Sequence, residues 1–206
     1  MGQPMISLTN VSFSYRGAES PSLSSLSLDV GAGECVLLCG KSGCGKSTVL
    51  RLLNGMIPEF FDGDLTGRVR VSGMDPTTCP QYKVARRVGT VFQNPRTQFY
   101  TLDTTSEVAF GCENRGMPRA EISRRVNEAA ADLGIAALMN RNIFRLSGGE
   151  KQRVAIASVY ATGPEVLLLD EPSANLDFPA IRELRRTLGI LRSKGKTILV
   201  AEHRTW

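Results

Sequence analysis

Gly40-Lys41-Ser42-Gly43-Cys44-Gly45-Lys46-Ser47-Thr48 is the stretch on which the fold turns. It fits G-x-x-x-x-G-K-[ST] without a mismatch. Before it, Cys35-Val36-Leu37-Leu38-Cys39 is a short apolar run suited to a buried strand, with Cys35 and Cys39 as buried thiols. After it, Val49, Leu50, Leu52, Leu53 and Met56 recur at helical spacing. Strand, glycine loop and helix start together make a phosphate cradle. Glycines let backbone N–H groups approach phosphate oxygens closely, and the helix N-terminus adds partial positive charge. Lys46 is placed to reach the β- and γ-phosphates, and the Ser47 hydroxyl to ligate Mg²⁺. A chance match in a chain this long is on the order of one in a hundred. A nucleotide site therefore outweighs a chemically idle turn.

The bulk numbers agree. A chain of 206 residues suits one large domain, or a core with an inserted subdomain, and 42% hydrophobic content supports a sizeable core. The net charge of +5 is a modest basic excess without a long Lys/Arg run, so no nucleic acid partner is expected. Arg182, Arg185, Arg186, Arg192, Lys194 and Lys196 alternate with apolar residues at helical spacing and mark a solvated helix face. The five cysteines lack paired C-x-x-C spacing and His203 is the single histidine, which argues against a Cys/His zinc site and for a reducing compartment, the cytoplasm. No signal peptide is visible at the start. The longest apolar runs are about five residues, far short of the ~20 that a spanning helix needs. A membrane role must come through a partner.

Around the loop, strands and helices alternate. Ile6 to Phe13 and Leu26 to Val30 read as strands of a small antiparallel sheet, with a Ser/Pro-rich link over Ala18 to Ser25. Val69 and Val71 belong to a further strand between Gly67 and Gly73, and Gln81 to Arg86 to a brief helix. Val88 to Phe92 is a strand stopped at Gln93-Asn94-Pro95, because proline cannot continue a ladder. From Asn94 to about Tyr160 the pattern is helical: Ser106 to Cys112, then Pro118 to Leu133 with Ile122, Val126, Ala129, Ala130 and Leu133 on one face. Another helix opens at Ser147, whose spacing to Glu150 is that of a capping box. Val166 to Leu169 is a fully apolar strand ending on Asp170-Glu171; Pro179 to Lys194 is amphipathic; Thr197 to Ala201 is a last buried strand before Glu202-His203. The expected fold is α/β, a P-loop NTPase: a mostly parallel core sheet, an N-terminal antiparallel β subdomain and an inserted helical subdomain over about 94–160.

In such sheets ligands gather at the carboxyl ends of strands. Gly40, Gln93, Asp170, Glu171 and His203 all fall there. Asp170 after four apolar residues has the setting of an aspartate that holds Mg²⁺, and Glu171 is placed to orient or deprotonate the attacking water. Gln93 offers an amide to Mg²⁺ or to that water, and His203 a donor to the γ-phosphate. Each alone is an ordinary polar residue at a strand end; the phosphate loop decides for chemistry. Tyr15 offers a flat ring for adenine, although a lone tyrosine in a turn is usually packing. Ser147 is at least a helix cap. With Gly148 and Gly149 behind it, it also opens an anion site, one that makes sense if it serves another subunit's nucleotide.

With these residues assembled, the chain resembles the ATP-binding subunit of an ABC transporter. The resemblance runs through the Walker A loop Gly40–Ser47, Gln93 of the Q-loop, the signature Leu146-Ser147-Gly148-Gly149-Glu150 and the Walker B strand Val166–Glu171. It continues in Ala174-Asn175-Leu176-Asp177 of the D-loop, the switch histidine His203 and the aromatic Tyr15. It implies ATP and Mg²⁺ as ligands, with the phosphates on Gly40, Lys41, Ser42, Gly43, Cys44, Gly45, Lys46, Ser47 and Thr48, and the metal on Ser47, Gln93 and Asp170. Glu171, His203 and Gln93 are the implied catalytic residues. It further implies a head-to-tail pair of such domains, each ATP closed in by Ser147, Gly148 and Gly149 of the second, and integral membrane subunits that follow the movement. That places the protein at the cytoplasmic face of the membrane. Val91-Phe92-Gln93-Asn94-Pro95, Glu107 to Gly111 and Ala201-Glu202-His203-Arg204 are similar to energy-coupling-factor ATPases, importers' motors for vitamins and transition-metal ions. Relatives continue beyond the histidine, so a chain that stops at Trp206 reads as cut short, or cut from a two-ATPase protein. The rival reading is a soluble ABC-type ATPase of DNA repair or translation. The repair branch requires a long coiled coil between Gln93 and Ser147, where no sustained heptads occur.

Overall fold

Alternating apolar residues build the first layer. The computed structural model describes residues 3–203, so Arg204 and Trp206 of the reading above lie outside the described residues. Strand β1 (Ile6–Tyr15) buries Ile6, Leu8, Val11 and Phe13 and runs down the middle of a three-stranded antiparallel sheet, order β2-β1-β4. Its neighbours are β2 (Leu23–Val30) and β4 (Gly63–Val71), registered Ile6 opposite Val30 and Val71. The strands begin earlier than the pattern shows: Leu23 to Ser25, read as linker, already pairs, because Leu23 drops into the core opposite Phe13.

The second layer is a four-stranded parallel sheet, order β3-β7-β6-β5. It comprises β3 (Cys35–Cys39), β5 (Val88–Val91), β6 (Val166–Asp170) and β7 (Thr197–Glu202). In β6 and β7 every residue but the last acid of β6 is buried, since both faces are covered. Leu168, Leu199 and Ala201 face α1 (Lys46–Leu53) and the antiparallel sheet. Leu167, Leu169, Ile198 and Val200 face the helices that follow β5. Truncating a side chain such as Leu168 to alanine costs about 2–5 kcal/mol.

Short helix α2 (Met56–Glu59) and α3 (Gln81–Arg87) join the two sheets. Between β5 and β6 come α4 (Thr104–Asn114), α5 (Arg119–Asp132) and α6 (Gly148–Ala161); α7 (Phe178–Ser193) lies between β6 and β7. Val108, Val126, Ala130 and Val154 of these helices share one continuous cluster with Leu167 and Val200 of the sheet. Pro118 stands one residue before α5, as its cap. The arginines of α7 and Lys194 are exposed while Leu184, Leu188 and Leu191 are buried, the solvated face expected. Lys196 departs from it: it lies beyond the helix, part-buried, with its ammonium donating to the Pro164 carbonyl at 2.6 Å.

One expectation fails. β3 is the edge of the sheet, and Cys35, Leu37 and Cys39 point to its uncovered face, so Cys35 and Cys39 are exposed thiols. Val36 and Leu38 alone pack inward. A continuous apolar run shows that a strand forms; it does not say whether another layer covers both faces.

Candidate functional site

The loop between β3 and α1 takes a path that only glycine tolerates at one point. Gly45 has φ +94°, and a Cβ there would stand 2.6 Å from the Ser22 carbonyl oxygen and from Leu23 Cδ2. Lys46 opens α1 and is 7% exposed. Its ammonium folds over its own loop, donating to the carbonyls of Gly40 (2.7 Å) and Lys41 (3.0 Å), 3.8 Å from Cys44 Sγ. Lys41, Ser42, Gly43 and Cys44 form the loop's exposed outer surface. Thr48 is buried one position beyond Ser47, its hydroxyl 3.1 Å from that of Tyr15. The Tyr15 ring packs edge to face with Phe13 at 4.8 Å.

The ends of β6 and β7 bring the acids to this loop. Ser47 Oγ donates to Asp170 Oδ1 at 3.1 Å. Burial pushes the Asp170 carboxyl above its ordinary value; the Ser47 hydrogen bond and the positive charges of Arg51 and Lys46 pull the other way without overcoming it, and Glu202 adds to the rise. Glu171 adopts φ +46°, a left-handed conformation that is costly for a side chain just before a proline. Two backbone bonds hold it there: Glu171 N–H to Ala201 O at 2.8 Å and Ala174 N–H to Glu171 O at 3.1 Å. The bend turns the carboxylate onto two partners. Gln93 Nε2 donates to Oε2 at 2.8 Å, and His203 Nε2 lies 2.5 Å from Oε1. His203 Nδ1 is 3.5 Å from the Lys46 ammonium, which can only donate. A neutral imidazole in this position accepts at Nδ1 and donates from Nε2 to Glu171.

Lys46, Ser47, Gln93, Asp170, Glu171 and His203 thus stand in two touching pieces of one cluster. The Gln93 amide is spent on Glu171 rather than on the Ser47–Asp170 pair. Ser147, Gly148 and Gly149 stand outside the cluster. Ser147 forms the full capping box of α6, its Oγ accepting from Glu150 N–H at 3.3 Å and Glu150 Oε2 accepting from Ser147 N–H at 2.7 Å. Sequence reasoning missed Glu202, 3% exposed, which accepts from Ser173 N–H at 3.0 Å and so shapes the loop after Glu171. An acid preceding the histidine at a strand end was the available signal. It also missed Arg51, whose guanidinium donates to Tyr15 Oη at 2.9 Å.

A family model described as ABC transporter matches residues 23–174. The chain belongs to the ABC transporter family. A putative ABC transporter ATP-binding protein of Treponema denticola is 50% identical over 98% of this chain, and one of Methanosarcina acetivorans 42% identical over 98%. The chain spans 41% and 33% of the length of these two relatives. Among solved structures, CbiO1 of Clostridium perfringens superposes with a TM-score of 0.88 at 30% identity, covering 98% of this chain and 80% of that one; it is described as part of the ABC transporter complex CbiONQ. Membership makes this an ATP-binding domain.

The ABC domain's residues suit Mg²⁺. Ser47 and Asp170 are hard oxygen donors held side by side. Among the described residues no group of three or more His, Cys, Asp or Glu could hold a metal unaided. Mg²⁺ ordinarily binds through one or two protein oxygens, with phosphates and waters completing its shell.

Proposed function

We propose that this domain binds and hydrolyses ATP as the motor of an importer of energy-coupling-factor type, driving separate membrane subunits for a vitamin or transition-metal ion. The observation that carries the reading is the clustering of Lys46, Ser47, Gln93, Asp170, Glu171 and His203 from four chain segments at the strand ends. Gly40 to Thr48 cradle the triphosphate and Tyr15 stacks on adenine. Ser47 and Asp170, with Gln93 as a third candidate, would hold Mg²⁺, which neutralises phosphate charge when bound. Glu171 takes the proton of the attacking water. Gln93 and His203 orient its carboxylate through their N–H groups, and Lys46 compensates developing charge on the γ-phosphate. The capped, exposed start of α6, with Ser147, Gly148 and Gly149, contacts the nucleotide of a second ATP-binding domain. ATP closes the pair and product release reopens it.

The helical segment, about 94–160, would pass this movement to the membrane subunit at the cytoplasmic face. A groove of about 460 Å³ lined by Tyr82, Arg86, Gln98, Tyr100, Phe110 and Arg115 supports that role. Tyr82 and Tyr100 are 61% and 74% exposed, Tyr100 stacked on Phe110 at 5.0 Å, and together they present an aromatic surface to solvent. Gln98 Oε1 accepts from Phe92 N–H at 3.1 Å, tying the groove to the residue before Gln93. No helix among the described residues is long and apolar enough to cross a membrane. The likeness to CbiO1, part of the ABC transporter complex CbiONQ, supports the energy-coupling-factor type.

The test is a pair of variants. Lys46→Ala should lose ATP binding. Glu171→Gln should keep it, slow hydrolysis by about 10²–10⁴-fold and accumulate an ATP-bound dimer. Undiminished turnover in Glu171→Gln would remove its role as base.

A further inference from the structure

The hydroxyl of Tyr15 is tied to the helix that carries the phosphate site. Tyr15 ends β1, so its ring hangs from the antiparallel sheet. Its Oη accepts from Arg51 Nη1 at 2.9 Å and shares a hydrogen bond with Thr48 Oγ1 at 3.1 Å. Thr48 and Arg51 are three residues apart on α1, hence on one face of it, and α1 begins with Lys46 and Ser47. The Arg51 guanidinium is itself seated, 4.2 Å from the centroid of the Phe61 ring. Phe61 and Phe13 stand nearly perpendicular to the Tyr15 ring, at 78° and 84°, so neither lies stacked on it.

We infer that Arg51 is a positioning residue for base recognition, holding the Tyr15 ring at a set distance from the phosphate loop. This rests on the reading that Tyr15 stacks on adenine. A tyrosine free to turn about its two side-chain torsions would have to be ordered each time a nucleotide binds. Fixing its tip removes that cost beforehand. Lys46, Ser47, Thr48 and Arg51 share one rigid helix, so base and triphosphate are gauged from a single element. Thr48 is also one of the residues assigned to the nucleotide. When its hydroxyl turns to the ligand, Arg51 is the remaining tether.

The experiment titrates the full chain by calorimetry with MgATP and with magnesium tripolyphosphate, which has no base. Arg51→Met should weaken ATP about fivefold while leaving tripolyphosphate within about twofold. Tyr15→Phe, which keeps the ring and loses the hydroxyl, should reproduce that effect, and the double variant should add little to either. Arg51→Lys, which keeps the charge and loses the planar seat on Phe61, should fall between and guards against a fold defect in Arg51→Met. Parallel weakening of both ligands would overturn the inference, since it marks plain attraction of phosphate or a damaged fold. So would unchanged ATP affinity in Arg51→Met and Tyr15→Phe. Tyr15→Ala separates the two layers. If it lowers ATP relative to tripolyphosphate while Arg51→Met does not, the tether alone is wrong; if the ratio holds in Tyr15→Ala, the stacking itself is.

Discussion

Gly148 and Gly149 are neighbours with different duties. A Cβ on Gly149 would meet Ala180 Cβ at 2.8 Å, whereas one on Gly148 finds nothing nearer than the Asn175 carbonyl oxygen at 3.6 Å. Gly149→Ala should therefore destabilise the chain by about 1–3 kcal/mol through overpacking at the start of α7. Gly148→Ala should leave the urea midpoint almost unmoved and weaken ATP-driven pairing. Equal midpoints for the two would show that the packing is not decisive. Asp170 makes a second case. Its carboxyl titrates above the ordinary range because it is buried, so folding disfavours its charged form. The sign follows: the penalty is absent below the ordinary carboxylate pKa and grows as pH rises through the raised value. Asp170→Asn should raise the melting temperature of the nucleotide-free chain at neutral pH, lose that advantage in acid, and remove Mg²⁺-dependent hydrolysis. A lower melting temperature at neutral pH would contradict the assignment.

Helix starts are where single residues govern whole elements. Asp103 caps α4, accepting from the N–H groups of Thr105 and Ser106, both at 3.0 Å. Those bonds, the Ser106 side chain first, hold its carboxyl below the usual range. Asp103→Ala should cost about 1 kcal/mol at neutral pH. Because the folded pKa is depressed, the stabilisation exists above the ordinary carboxylate value and fades as pH falls through the lowered one, so the two proteins should converge in acid melts. Element types were legible for similar local reasons: capping-box spacing at Ser147, the apolar run before Asp170, proline ahead of α5. Their limits were less so. β2 starts at Leu23 because of a partner in β1, and β3 is an edge because of its place in the sheet order, neither of which is a local property.

For the whole molecule, the sharpest expectation concerns two copies. Within one chain Ser147 lies outside the Lys46–Glu171 cluster, so each ATP would need a second domain. Mixing a Lys46→Ala protein with a Ser147→Glu protein, each inactive alone, should restore part of the hydrolysis. In the mixed pair one site keeps both an intact Lys46 and an intact Ser147. No recovery at any ratio would mean that the exposed helix start serves something other than the partner's nucleotide.

The sequence by itself determined the phosphate loop, the alternation of strand and helix and the two acids at a strand end. Each is written in consecutive residues, where backbone freedom and side-chain periodicity act. Only the tertiary structure decided which groups share a proton or a charge: Gln93 and His203 on Glu171, Ser47 on Asp170, Arg51 on Tyr15. These pairs are far apart along the chain. The first three meet because a parallel sheet delivers all its strand ends to one side, the last because the antiparallel sheet packs on α1, and no pattern within a single segment encodes either meeting.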